Sequence, residues 1–200
     1  MRRLIVGLAA ILAACSNSSG PNPPPPVPTG QLHFVVQDAA APPLYTAADS
    51  FYAKVGDGRE LHLYYQDATG NRGEEFLRFE VPGDALLRKP DGSAFQVVDS
   101  ILIVVRVLDP QKFVIDFQPS GLRFNPDHPA RLKIEYAHSD HDYDGDGSVT
   151  TADSTIRSEL DVWRNDPPSS LWYRLSGVNF ESLEELDANI LSFSQYAVAW

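Results

Sequence analysis

Arg131-Leu132-Lys133-Ile134-Glu135-Tyr136 alternates charge with apolar bulk at every step. Side chains of an extended strand point to opposite faces with a period of two. Leu132, Ile134 and Tyr136 therefore share one face, and Arg131, Lys133 and Glu135 the other. A helix, with its period of 3.6, would scatter the same residues around its axis. The stretch is a strand with one side in a core and one side in water.

The same reading spreads outward in both directions. In Phe76 to Val81, Leu77, Phe79 and Val81 oppose Arg78 and Glu80. In Glu60 to Gln66, Leu61, Leu63 and Tyr65 share a face, and Phe113, Ile115 and Phe117 alternate around Asp116. Ile101 to Val107 is almost continuously apolar, as an interior strand would be. Leu32 to Gln37 reads as the first strand, and Leu171 to Leu175, Ala188 to Leu191 and Gln195 to Ala199 as the last three. Turn signals separate them, among them Gly56-Asp57-Gly58, Ala68-Thr69-Gly70-Asn71 and Pro90-Asp91-Gly92. Many short alternating strands with regular turns predict a mainly β protein, an immunoglobulin-like antiparallel β-sandwich.

The amino-terminal part has a different composition. Arg2 and Arg3 precede an apolar run from Leu4 to Ala14. That run is too short for a bilayer span, which needs about 20 residues, and suits a secretory signal. Its end, Leu12-Ala13-Ala14-Cys15, resembles the lipobox of bacterial lipoproteins. The resemblance implies a signal peptide over residues 1–15, lipid on the Cys15 thiol and cleavage before it. The other reading is an ordinary secretory signal with a chance cysteine. Cys15 is the sole cysteine, so no intrachain disulfide is available and stability must come from packing or bound metal. Residues 16–30, with prolines at 23–26, read as a Pro/Ser-rich tether. Residues 31–200 are then one domain. The expected location is the cell envelope, anchored in the membrane through Cys15. In a host with two membranes, Ser16 resembles the sorting class sent to the outer one. The formal charge of −11, or −13 without Arg2 and Arg3, argues against nucleic acid and anionic lipid surfaces as partners.

One segment breaks the β pattern. Asp142-Tyr143-Asp144-Gly145-Asp146-Gly147-Ser148-Val149-Thr150-Thr151-Ala152-Asp153 places oxygen ligands at positions 1, 3, 5 and 12 of a twelve-residue loop, with glycine at position 6. This is the spacing of an EF-hand calcium loop. The expected Ca²⁺ ligands are the carboxylates of Asp142, Asp144, Asp146 and Asp153, the Ser148 carbonyl, and Thr150 or a water at position 9. A solvated acidic turn is the bland alternative. With Asp rather than Glu at the last position, and no apolar helix before it, the loop resembles the dockerin type. Dockerins carry two copies and this chain one, which puts a cohesin-like partner in doubt. A helix is expected after the loop, capped by Asp153 or Ser154, with Ile156, Leu160 and Trp163 as one apolar stripe, ending at Asn165-Asp166-Pro167-Pro168. Residues 137–170 thus read as a loop-helix insertion, ordered by calcium and docked through that stripe.

Two further stretches resemble the Z-U-five domain of zona occludens proteins, netrin receptors and ankyrins. They are Phe117-Gln118-Pro119-Ser120-Gly121-Leu122-Arg123-Phe124 followed by Pro129 to Tyr136, and Leu191-Ser192-Phe193-Ser194-Gln195-Tyr196-Ala197-Val198. Phe79 to Leu86 resembles the same domain's Val-Pro turn. Some members cleave their own backbone at His-Phe-Ser. Here Ser192 occupies the histidine's place, so the resemblance implies no self-cleavage at Phe193-Ser194.

His138 and His141 beside Asp140 and Asp142 raise zinc, against which the missing cysteines count. Tyr64, Tyr65, Trp163, Trp172 and Tyr173 raise a sugar-stacking platform, against which stands ordinary packing. No Gly-x-Ser-x-Gly elbow, His-Glu-x-x-His or phosphate-binding glycine loop occurs. The sequence therefore predicts a non-catalytic envelope protein with one Ca²⁺, in a structural or interaction role toward an unidentified envelope protein or glycan. A glycan-binding module, or an unrecognised hydrolytic or self-processing enzyme, is the alternative.

Overall fold

The computed structural model describes residues 24–200. The expected signal segment, Cys15 and the first part of the expected tether lie outside these residues. Two antiparallel sheets face each other. The larger has seven strands in the order β1 (Val27–Pro28), β11 (Leu171–Arg174), β10 (Asp161–Asn165), β14 (Gln195–Ala199), β7 (Val114–Gln118), β6 (Ser100–Asp109) and β2 (Ala48–Lys54). The smaller has five, in the order β12 (Val178–Phe180), β13 (Glu185–Ile190), β9 (Ala130–Glu135), β4 (Arg72–Val81) and β3 (Arg59–Gln66). A two-stranded ribbon of β5 (Leu86–Arg88) and β8 (Arg123–Phe124) closes one end. The chain is a mainly β sandwich with one short helix, α1 (Thr151–Glu159).

The alternation predicted for β9 holds: Leu132 and Ile134 are buried while Lys133 and Glu135 face outward. Inward residues of both sheets form one continuous core. Its centre is aromatic, with Phe79 of the small sheet meeting Phe117 of the large one at 4.9 Å between ring centres, and Phe124 and Phe193 filling the same layer. Such edge-on pairs add to the stabilisation from buried area alone.

Three elements differ from the sequence reading. Leu32 to Gln37 forms no regular strand. It crosses the large sheet as a strap held by isolated bridges to Ala199, Lys112 and Ser139. Val27–Pro28, within the stretch read as tether, pairs with Leu171 and Trp172. The helix ends at Glu159, and residues 161–165 return as a strand bonded on both sides, to β11 and to β14. The i, i+4, i+7 spacing of Ile156, Leu160 and Trp163 is therefore no helical stripe. Leu160 already has extended backbone (φ −56°, ψ 137°), and the two-sided ladder outweighs the helix propensity of a short segment.

Asp161 fastens this junction. Its carboxylate is buried, accepts from the amides of Val162 (2.7 Å) and Gly177 (2.9 Å), and pairs with Arg174 Nε at 2.8 Å. Arg174 also donates to the Glu159 carbonyl, closing the helix end. Asp161→Ala removes the acceptor of Arg174 Nε and of the Val162 and Gly177 amides. Removing one member of a buried pair costs about 3 kcal/mol, discounted here for the partly exposed arginine. Urea unfolding is expected to show that loss, with Asp161→Asn milder because it keeps an acceptor.

Candidate metal centre

The loop leaves β9 through Tyr136 and enters α1 at Thr151. Gly147 lies at φ +89°, a left-handed conformation that glycine adopts without steric cost and that the sixth position of such a loop requires. Short side-chain bonds to the backbone wind the rest. Asp142 accepts from the amides of Asp146 (3.0 Å) and Gly147 (2.7 Å), Asp144 from Asp146 (3.1 Å), and Asp146 from Ser148 (2.8 Å). These bonds bring the carboxylates together: one oxygen from each of Asp142, Asp144 and Asp146 lies within 4.8 Å of the others. Asp142 is half-buried and the other two are exposed. Such a group can hold a metal ion, and its all-oxygen donor set suits a hard cation.

The remaining predicted ligands are placed differently. Asp153 is buried and lies outside the cluster, with both oxygens occupied. Oδ2 accepts from Thr150 N at 2.7 Å and Oδ1 from Asp144 N at 3.2 Å. Thr150, not Asp153 or Ser154, is the helix cap. Its hydroxyl accepts from the Ala152 amide, and it forms a capping box with Asp153 as the reciprocal partner. Ser148 joins the loop through its amide bond to Asp146. The structure thus assembles three of the six predicted residues and gives Thr150 and Asp153 the task of starting the helix.

Electrostatics divide the same way. Hydrogen bonds from the backbone, that of Thr150 first, hold the Asp153 carboxyl below its ordinary range. At Asp144 the bond from the Asp146 amide also lowers the pKa. Desolvation and the charges of Asp146, Asp153 and Asp142 together outweigh it and leave Asp144 raised. A carboxylate pushed up by like charges is relieved by a cation.

The residue that sequence reasoning missed is Tyr143, at loop position 2. It is buried in the main core, its hydroxyl is 3.0 Å from Ser139 Oγ, and its ring meets Trp200 edge-on at 5.8 Å. Burial pushes its phenol pKa up. A lone aromatic in a run of Asp, Gly and Ser was the available signal. Ile156 and Leu160 do pack against the core, whereas Trp163 sits in a second apolar cluster with Leu32 and Trp172 and donates from its ring to the Ala199 carbonyl. The loop docks through Tyr143, Ile156 and Leu160.

The other predicted constellations do not assemble. His138 turns to Glu74 at 2.8 Å and His141 to Glu184 at 3.2 Å, so the two imidazoles share no site with Asp140 and Asp142. Tyr65, Trp163 and Trp172 are buried, and Tyr64 and Tyr173 lie on different sheets, so the five aromatics make no stacking row. Comparison with family models, with curated proteins and with solved structures yields no match.

Two substitutions test this description. Tyr143→Ala is expected to cost about 3 kcal/mol of stability by denaturant unfolding, as large aromatic truncations in cores do, and Tyr143→Phe about 1 kcal/mol, for the hydroxyl pair. Thr150→Ala is expected to lose about 1 kcal/mol through its cap, measured by thermal unfolding in chelator.

Proposed function

We propose that this chain is a non-catalytic, lipid-anchored cell-envelope protein whose sandwich binds one calcium ion in the loop of residues 142–153. One observation carries the reading: residues spaced as an EF-hand loop also converge, with three carboxylates within 4.8 Å of one another. Asp142, Asp144 and Asp146 would hold the ion by their carboxylates, with the Ser148 carbonyl and the Thr150 position or a water completing the shell. Asp153 closes the loop with its two amide bonds, and each of its oxygens keeps a lone pair with which it could join. Calcium accepts six to eight oxygens in flexible geometry, whereas magnesium demands a tighter octahedron, so an exposed cluster of carboxylates spread over 4.8 Å favours calcium. Monodentate aspartates in an unpaired loop place the affinity at ~10⁻⁵–10⁻³ M, the range used outside cells.

The envelope assignment rests on the lipobox-like Leu12-Ala13-Ala14-Cys15 and the proline-rich tether after it. Acyl chains on Cys15 would hold the domain at the membrane, since more than one chain gives stable anchoring. The partner would be an envelope protein or glycan. Against catalysis or self-processing, the Ser194 hydroxyl is buried and donates to the Asn165 carbonyl, with Ser192 where a base would be needed. The purified protein is expected to keep its intact mass on incubation.

A calcium titration followed by calorimetry and thermal unfolding tests the reading. One ion is expected to bind. At millimolar calcium and a Kd near 10 µM, linkage adds about 2.7 kcal/mol. Asp142→Ala with Asp146→Ala should abolish both signals. An unshifted melting temperature with no heat of binding would remove the calcium assignment. Cys15→Ala should move the protein from the membrane fraction to the soluble fraction.

A further inference from the structure

β2 is the bare edge of the larger sheet. It pairs with β6 over all seven of its residues, from Ala48 opposite Arg106 to Lys54 opposite Ser100, with no register shift. No strand lies on its other side. The Val107 amide donates to the Ala47 carbonyl at 2.8 Å, which makes those two residues a hydrogen-bonded pair. Such pairs alternate with non-bonded ones along an antiparallel ladder. Asp49, Phe51 and Ala53 therefore turn their backbone groups to β6, and Ala48, Ser50, Tyr52 and Lys54 turn theirs outward from the sheet.

Little covers these outward groups. The Ser50 amide donates to the side chain of its neighbour Asp49 at 2.7 Å, and the Lys54 carbonyl accepts from the Asp57 amide at 3.2 Å. Those of Ala48 and Tyr52 meet no partner among the described residues. The other sheet edges are protected in the ways that keep monomers apart. β1 and β12 have only two and three residues. β3 carries register shifts, and Pro43, Leu44 and Tyr45 bond along its end. β2 has no shortness, proline or bulge to blunt it. Tyr52, 60 % exposed, stands opposite Leu102, 42 % exposed, so an apolar pair lies open at the same edge.

The residues of β2 select the strand that fits. A second copy laid antiparallel with full overlap puts Phe51 on the two-fold axis, because residues 48–54 are centred there. Ser50 then faces Tyr52 and Ala48 faces Lys54, so each long outer side chain meets a short one. These are the hydrogen-bonded pairs, with two bonds for each, and the Ser50 amide exchanges its local bond to Asp49 for one of them. On the other face Phe51 meets Phe51 and Asp49 meets Ala53. Aromatic pairs stabilise such a contact, and no like charges stand directly opposite. Moving the axis to Ser50 or to Tyr52 leaves residues at one end of the strand unpaired and forfeits their bonds.

We propose that β2 joins a second copy of this chain across a two-fold axis, so that the two larger sheets become one continuous sheet. Chains of net charge −11 repel one another. β2 itself carries one acid and one base, Asp49 and Lys54, and adds nothing to that repulsion. A foreign extended segment could use the same backbone groups, whereas the side-chain fit is that of β2 against itself. The proposal rests on neither the calcium reading nor the membrane reading.

Sedimentation equilibrium of the full chain, in a detergent matched to the solvent density, tests this. A concentration-dependent dimer is expected. Ser50→Lys sets two lysines near each other and near Lys54 of the other copy, and Tyr52→Pro removes an outward donor. Neither position lends its amide to the β6 ladder. Each variant is expected to weaken the dimer tenfold or more while the circular dichroism of the monomer stays unchanged. Oxidation is expected to link chains carrying both Ser50→Cys and Tyr52→Cys into a dimer, since facing residues of a hydrogen-bonded pair lie about 5.5 Å apart, within disulfide reach. Each single cysteine variant, and the unsubstituted chain as the control for Cys15, should stay unlinked. The proposal is overturned by a monomer mass at every concentration, by a dimer indifferent to both Ser50→Lys and Tyr52→Pro, or by linking of a single variant as efficient as that of the pair.

Discussion

Tyr143 is where the acidic loop and the sandwich become one object. A loop of Asp, Gly and Ser has no apolar surface with which to fold, and three like charges at its tip oppose its closure. Burying one aromatic ring against Trp200, with its hydroxyl on Ser139, supplies the attachment. On either side of that anchor the chain has little freedom. Ser139 is bridged to Gln37 of the amino-terminal strap, and the Asp140 amide donates to the Val36 carbonyl. The far end of the loop is fixed by the capping box and by Ile156 and Leu160 on the core. The carboxylates are therefore presented from a frame with two fixed ends, the preorganisation that a weak oxygen-ligand site depends on.

The same frame joins the amino-terminal strap to the loop. Residues 32–38 run from the edge of the large sheet past the carboxy-terminal strand to the segment just before Asp142, with bonds from His33 to Trp200, Val35 to Val198 and Asp38 to His138. The chain that would lead back to the membrane is thus built into the sheet next to the loop. In a domain without disulfides, a strap of this kind ties the amino-terminal segment to the core by ladder bonds and by the packing of Leu32 and Phe34 on Trp172.

Much of this was legible in the sequence, for physical reasons that differ by element. β3, β4 and β9 were readable because one face is dry and the other wet, so burial wrote itself as alternation, whereas β7 and β14 are buried on both faces and were readable as short apolar runs. β2 (ADSFYAK) was missed because it is an edge strand with only Ala53 fully buried and Phe51 partly so. β10 was misread because Leu160 and Trp163 fall at a helical interval from Ile156 while facing different cores. At the site, the spacing of Asp142, Asp144 and Asp146 found the cluster, since turn geometry over five residues is local. The cap role of Thr150, given in the sequence reading to Asp153 or Ser154, was hidden because a threonine three residues before a carboxylate serves both a metal loop and a helix start. Tyr143 was hidden because its partner, Trp200, is far along the chain, and one sequence carries no signal of that contact.

Terbium luminescence asks most directly whether the anchored loop grips a hard cation. Excited through the aromatic bands, a terbium ion held beside the ring of Tyr143 should emit with one-to-one saturation, be displaced by calcium at far lower concentration than by magnesium, and lose its emission in Asp142→Ala/Asp146→Ala. No sensitised emission, or emission that survives the loss of both aspartates, would contradict the account.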